Sequence, residues 1–263
     1  MTARALATAL PAAVPVRRMM RAYITEAKYE TLRMLRAPAF AGPFLVIPIA
    51  MYLFFGSMGG SEPSARAASM PPGPFLFTGF LVMGIMGPPL FGFGMGMALE
   101  REQGLLQLKR AQPMPRGAYL LAKLLMSIIF AALVGIELAV ASAFRSRVPL
   151  TVTELAGMTG IGMLGTLPFG AIGLFIGARV SGRAAPAFVN LAYIPLMYLS
   201  GLFFPIPEGI RWLASFSPAF HLNQLVLSVA GTPSILGPAI NVAALAGVTV
   251  MFAGLTVRRL SRA

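Results

Sequence analysis

ALEREQGLLQLKRAQPMPRGAYLLAK, residues 98–123, is the longest charged interruption between two strongly apolar runs. Before it, Pro74 to Leu99 carries no charge; after it, Ala118 to Phe144 carries only Lys123 near its start and Glu137 near its end. The interruption has internal order. Glu100, Arg101 and Glu102 come first, then Gly104, then an apolar stripe at Leu105, Leu106 and Leu108, then Lys109 and Arg110. Pro113 and Pro115 lack the backbone N–H a helix needs and stop it before the next run. The pattern predicts a short amphipathic helix held outside a membrane on a stiff hairpin, which is the geometry of a docking surface.

The rest of the chain supports the membrane reading. Of 263 residues, 57% are hydrophobic and 11% charged, whereas a soluble domain carries about a quarter charged residues. So few charges cannot cover so many apolar side chains in water. A spanning helix needs about 20 apolar residues, which leaves room for roughly six. The net charge of +13 points to basic residues gathered on one membrane side and not to nucleic acid, because no aromatic-basic recognition motif is present. There is no cysteine, hence no disulfide, thiol chemistry or cysteine metal site.

Residues 1–16 read as a flexible tail: an apolar run at Ala5 to Val16, broken by Pro11 and Pro15, without a cleavage pattern. Residues 17–37 read as a basic amphipathic helix. Met20, Tyr23, Ile24, Ala27, Thr31 and Met34 share one face, and Arg17, Arg18, Arg21, Lys28 and Arg36 fall mostly opposite. Glu30 intrudes on the apolar face. Such a helix lies in the membrane interface with its cations toward anionic lipid.

Spans are predicted at 40–58, 74–99, 118–144, 155–178, 187–204 and 239–257, within a transmembrane domain at 38–257, followed by a short basic tail at 258–263. The second contains Pro88-Pro89, which predicts a kink or break tolerated only under protein or beside a water-filled cavity. Its Gly92 and Gly96 form a GxxxG spacing that permits close helix approach. Pro168 lies in the middle of the fourth span and Pro195 inside the fifth. With six spans and an inside N-terminus, every basic residue except Arg66, Arg145, Arg147 and Arg211 falls on one side. That bias places both termini and the 99–117 loop in the cytoplasm of a multi-pass protein in the cell membrane.

Single residues add little chemistry. Glu137 is the one acid inside a span, near Arg145 and Arg147, and reads either as a coupling group or as half of an interfacial ion pair. Lys123 is expected to snorkel toward the interface. His221 is the one histidine and has no nearby acid with which to make a zinc site.

Two longer stretches together carry a resemblance: EREQGLLQLKRAQPMPRGAYLLAK (100–123) after the second span, and PLMYLSGLFFPIPEGIRWLASFSPAFHLNQL (195–225) from the fifth onward. With six spans and an amphipathic N-terminal helix, they resemble the permease (transmembrane) subunits of ABC-2 type exporters over nearly the whole chain. The resemblance implies an all-α membrane fold with a connecting helix at the N-terminus, a cytoplasmic coupling helix and an extracellular re-entrant gate at 205–236. It implies that Glu100, Arg101, Glu102, Gly104, Leu105, Leu108 and Arg110 meet a separate ATPase subunit. It implies a substrate path along Phe77, Phe80, Met83, Phe91, Met197, Tyr198 and Phe203 at a dimer interface, with hinge or gate residues Pro88, Pro89, Pro195, Pro205 and His221.

The implied assembly is two permease chains, a homodimer or a pair of paralogues, above two ATPase subunits. ATP and Mg would bind the partner, because this chain has no G-x-x-x-x-G-K-[ST] phosphate loop; no metal or cofactor is expected on the chain itself, which by itself is not an enzyme. The implied activity is export of a hydrophobic, drug-like, lipid or glycan-linked substrate. The rivals are an ATP-independent channel or secondary transporter, which would predict coupling charges within the spans, and an anchoring protein without a transport path.

Overall fold

The structure, a computed structural model, describes residues 16–58, 72–111, 117–144, 150–201, 206–232 and 234–260. Among these, all regular structure is helical. The helices are α1 (Val16–Leu35), α2 (Pro38–Met58), α3 (Pro72–Glu102), α4 (Leu105–Ala111), α5 (Ala118–Phe144), α6 (Val152–Leu164), α7 (Thr166–Gly177), α8 (Ala185–Leu199), α9 (Arg211–Ala214), α10 (Pro218–Val229) and α11 (Pro238–Leu260), with a 3-10 turn at Glu208–Ile210 before α9. Five stretches are long and apolar enough to cross a membrane: α2, α3, α5, α6 with α7, and α11. The protein is therefore a multi-pass helical membrane protein. The expected fifth span is shorter. Its helix, α8, has 15 residues and ends at Leu199, about 22 Å of helix against a hydrocarbon core of about 30 Å.

At the centre lies α3, packed against α7, α5, α2, α8 and α10. Its glycines let neighbours in. A side chain at Gly87 would overlap the Phe44 ring of α2, and one at Gly94 would meet Val189 of α8. The closest approach is to α7. A Cβ at Gly173 would stand 2.8 Å from the Leu90 carbonyl oxygen, and one at Gly177 would stand 2.6 Å from that of Phe93. The two backbones are in direct contact, the arrangement small residues allow between helices in lipid.

Three expectations change here. Of the kink or break expected at Pro88-Pro89, the break does not occur, and α3 runs from Pro72 to Glu102. The two prolines deprive the Gly84 and Ile85 carbonyls of their usual donors, and protein covers the site, with Gly170 of α7 against the Pro89 ring. Second, the GxxxG glycines are not the close-approach pair. Gly92 faces the Met126 methyl and Gly96 faces the Lys123 ammonium, both on α5. Third, the fourth span, expected as one helix, is two, divided at Gly165. Pro168 occupies the first turn of α7, where a missing N–H costs nothing, and its ring excludes a continuous helix through residue 164. The Thr166 hydroxyl donates to the Met163 carbonyl at 2.8 Å across the joint.

The other ends are also explained locally. A capping box starts α6: the Thr151 hydroxyl oxygen accepts from the Glu154 N–H at 3.2 Å, and Glu154 Oε2 accepts from the Thr151 N–H at 2.7 Å. Its start at Val152 lies three residues before the expected boundary. α2 and α11 turn apolar side chains such as Val46, Phe54, Val250 and Val257 outward. Exposed apolar stripes on helices of this length are surfaces for hydrocarbon.

α10 is buried on nearly every side, among α11, α6, α3 and α8. Leu222 lies against Gly165 in the middle of the α6–α7 span, and Val229 lies against Gly157 toward its Thr151 end. The short helix therefore runs alongside the α6 half of that span.

Candidate functional site

The charged end of α3 is the site the sequence points to, and its organisation begins with one glycine. After Glu102 the chain must turn sharply, and Gly104 takes φ +72°, a left-handed conformation that costs an L side chain about 1–2 kcal/mol. The Gly104 N–H donates to the Arg101 carbonyl at 3.2 Å, and the Gly104 carbonyl accepts from Gln107 at 3.0 Å as α4 begins. α4 is thus a separate seven-residue helix hung from the foot of α3.

Four charges fasten this foot. Glu30 and Arg33 come from α1, Glu100 from α3 and Lys123 from α5. Lys123 Nζ donates to Glu30 Oε1 at 2.7 Å and to Glu100 Oε1 at 3.3 Å. Arg33 Nη2 donates to Glu30 Oε1 at 2.8 Å. The same guanidinium nitrogen donates to Glu100 Oε1. Each cation bridges both carboxylates, so two acids and two bases close into a neutral ring. Lys123 has no exposed surface, and Glu30 and Glu100 keep 5% and 3%. Burial opposes the charge on Arg33, and the Glu100 and Glu30 carboxylates more than offset it, holding the guanidinium above its usual range. Gly96 makes the space, since a methyl there would stand 3.3 Å from Lys123 Nζ. Lys123 therefore does not snorkel. Glu30 does fall on the same face as Ala27, Thr31 and Met34, and that face is buried, with the acid paired there. Met20 and Ile24, expected on that face, are exposed.

A second set of contacts ties α4 and the next loop to the same body. Lys109 of α4 pairs with Glu26 of α1 at 2.5 Å. The Tyr119 ring lies 4.8 Å from the Lys109 ammonium and 5.1 Å from that of Lys123, within the range of a cation–π contact. Arg101 turns the other way. Its guanidinium donates to the Ala178 carbonyl at 2.5 Å and the Val180 carbonyl at 2.7 Å. These are carbonyls left unpaired where α7 ends. Opposite them, Gly182 packs on Leu99 with the Glu102 carboxylate beside it.

The residues expected to contact a partner thus divide. Glu100 is buried in the ring, while Arg101 is exposed and reaches across the surface to the end of α7. Glu102 is exposed, Leu105 is half-buried, and Leu108 is 62% exposed. The Arg110 side chain lies outside the described residues. The proposed path residues are not gathered on one surface. Phe77 and Phe80 are fully buried, against Tyr52 and Phe55 of α2. Phe91 touches Phe44 and Tyr193, the Met83 carbonyl accepts from the Tyr193 hydroxyl at 3.2 Å, and Tyr198 is exposed. Met197 is half-buried, while Phe203 and Pro205 lie outside the described residues. Pro195 sits inside an unbroken α8, and His221 is buried in α10, remote from the charged end.

Glu26 and Arg33 were not singled out by the sequence, and Glu30 and Lys123 were noted there only as separate charges. The signal was present in pieces: one acid on the apolar side of a basic helix, and one base inside an apolar run. Each is costly alone, and opposite signs with no other partner imply each other.

A polytopic helical protein with a short helix outside its spans defines a class, that of multi-pass membrane proteins. Residues 21–230 match the ABC-2 type transporter family, and the chain belongs to it. It is also 27% identical over 200 residues to the Bacillus subtilis (strain 168) protein named "Putative transport permease YvfS", covering 74% of this chain and 80% of that relative. The protein is a multi-pass transport permease.

Proposed function

We propose that the chain is the membrane subunit of an ATP-driven exporter and receives its energy through α4. The observation that carries this reading is the clamping of α4. A seven-residue helix outside the spans is too short to be stable alone. Here it is hung from α3 by Gly104, tied to α1 by Lys109–Glu26, and rooted in the Glu30–Arg33–Glu100–Lys123 ring that joins α1, α3 and α5. A push on α4 therefore moves three helices together, as a rigid-body transmission requires. Leu108 remains outward as an apolar contact for a partner.

In this reading the charged end faces the cytoplasm, and a separate ATPase subunit binds Glu102, Leu105 and Leu108 and carries the ATP, the Mg and the hydrolysis. Two permease chains meet to form the path, α8 acts as the sixth span, and α9–α10 form the outer gate. The substrate is hydrophobic, drug-like, lipid or glycan-linked. The test is co-purification with the candidate ATPase in lipid nanodiscs, with ATP turnover, for wild type and for Leu105→Asp with Leu108→Asp. Loss of the ATPase from a variant that keeps the wild-type melting temperature supports the assignment. Unchanged binding removes α4 as the docking element, and a wild type that binds no ATPase removes the ATP-driven reading.

A further inference from the structure

His221 lies at the opposite side of the molecule from the charged ring, and its hydrogen bonds do not balance for a neutral side chain. Nδ1 is 2.7 Å from Asn241 Oδ1, and Nε2 is 2.8 Å from the Ser215 carbonyl oxygen. The carbonyl accepts only. The amide of Asn241 is held in its orientation because its Nδ2 donates to the Leu236 carbonyl at 3.0 Å. Turning the amide over would aim its oxygen at that carbonyl instead. Both ring nitrogens therefore face acceptors, and a neutral imidazole has one N–H to offer. His221 is 3% exposed and Asn241 fully buried, so water does not supply the missing donor at ordinary cost.

We propose that His221 is a proton-binding site whose imidazolium form latches α10 to the first turn of α11 and to the turn after α9. The second proton lets one side chain donate in two directions at once. Its loss leaves either Asn241 Oδ1 or the Ser215 oxygen opposed to a bare ring nitrogen. Among the described residues, the side chains with charge or titratable groups on the surrounding elements stand elsewhere. Glu208 and Arg211 pair with each other at 3.4 Å, Glu154 caps α6, Glu100 is in the ring at the far end of α3, Arg258 and Arg259 close α11 at its other end, and α8 carries Tyr193 and Tyr198. The proton is therefore held by hydrogen bonds and not by a facing carboxylate. Stabilisation by the latch is complete at low pH and is lost as pH rises, because the protonated form belongs to the folded arrangement.

The chain has one histidine, which makes the test direct. The full-length chain, labelled with 15N-histidine and purified on a tag free of histidine, is placed in lipid nanodiscs, and its ring nitrogens are followed by NMR from pH 5 to 9. The expected result is a signal with both nitrogens protonated at neutral pH, giving way to one neutral tautomer at higher pH. Asn241→Ala should move that transition down by about one pH unit or more, and Asn241→Asp should move it up. A neutral tautomer throughout the range, or a transition that Asn241→Ala leaves in place, overturns the proposal. If Asn241→Ala fails to fold, the wild-type spectrum alone decides. None of these readings depends on an ATPase partner.

Discussion

Replacing Lys123 by methionine isolates the charged ring at the foot of α3. The substitution keeps length and most of the apolar stem, and it removes only the ammonium. Glu30 and Glu100 then share Arg33 alone, with side chains about 4% exposed, and one carboxylate is left uncompensated. Removing one partner of a buried pair costs about 3–5 kcal/mol, because the other charge stays out of water. For a chain of this size roughly 2–4 °C accompanies each kcal/mol, so the melting temperature should fall by roughly 10 °C.

The assay is thermal unfolding in one detergent or nanodisc preparation, run as a double-mutant cycle with Glu100→Gln. Glu100→Gln alone leaves Lys123 and Arg33 facing one acid and should also destabilise. The double variant removes one charge of each sign and leaves Glu30 with Arg33 as a neutral pair at 2.8 Å. It should therefore be more stable than the sum of the single losses predicts, by about 1–3 kcal/mol. Additive losses, or a Lys123→Met protein within about 1 kcal/mol of wild type, would refute the ring as an interacting unit.

Gly173→Ala and Gly177→Ala should each cost several kcal/mol, or prevent folding, because the new methyl meets backbone carbonyls of α3 at 2.8 Å and 2.6 Å and neither backbone can give. Gly247→Ala and Gly254→Ala on α11, with nothing within 4 Å, should raise the melting temperature slightly, since alanine favours helix by about 1 kcal/mol over glycine; unfolding curves of the four variants check the contrast. Gly104→Ala should lose about 1–2 kcal/mol from its φ of +72°, read as faster hydrogen exchange confined to α4. Arg101→Ala should free the Ala178 and Val180 carbonyls, read as increased exchange at the end of α7 and the following loop with α4 unaffected.

The boundaries of α5 were legible to the residue, because a long apolar run between Gly117 and Phe144, carrying only Lys123 and Glu137, has one way to satisfy its backbone in lipid. α1, α2, α3 and α11 were legible to within a few residues for the same reason. What proline does inside a packed helix was not legible. Pro88-Pro89 was expected to kink or break α3, and the cover it finds against Gly170 of α7 is something no local pattern names. The partner of each glycine was equally hidden, so Gly92 and Gly96 looked like a helix-contact motif when Gly96 in fact clears space for an ammonium. The expectation for Lys123 failed in the same way: a lysine near a span end snorkels unless a carboxylate is brought to it, and both carboxylates here come from elsewhere in the chain.

The ring and the glycine seam place constraints on the same helix that a static bundle does not need. At its charged end α3 is bound to α1 and α5 by ion pairs, and along its length it is bound to α7 by backbone contact. Ion pairs are directional, so the three elements of the ring hold one relative geometry. A seam of small residues lets the two backbones touch while Phe93 and Met97 of α3 pack over the glycines of α7. In the proposed coupling, a displacement applied at α4 would pass to α1, α3 and α5 as a unit, and the α3–α7 seam would be the surface along which that unit shifts. Ala at Gly173 would interlock that surface and Met at Lys123 would release the unit from its lever. Transport measured on variants of each kind that still fold would separate a lost joint from a lost slide, since only the second should leave the coupling of α4 to α5 intact.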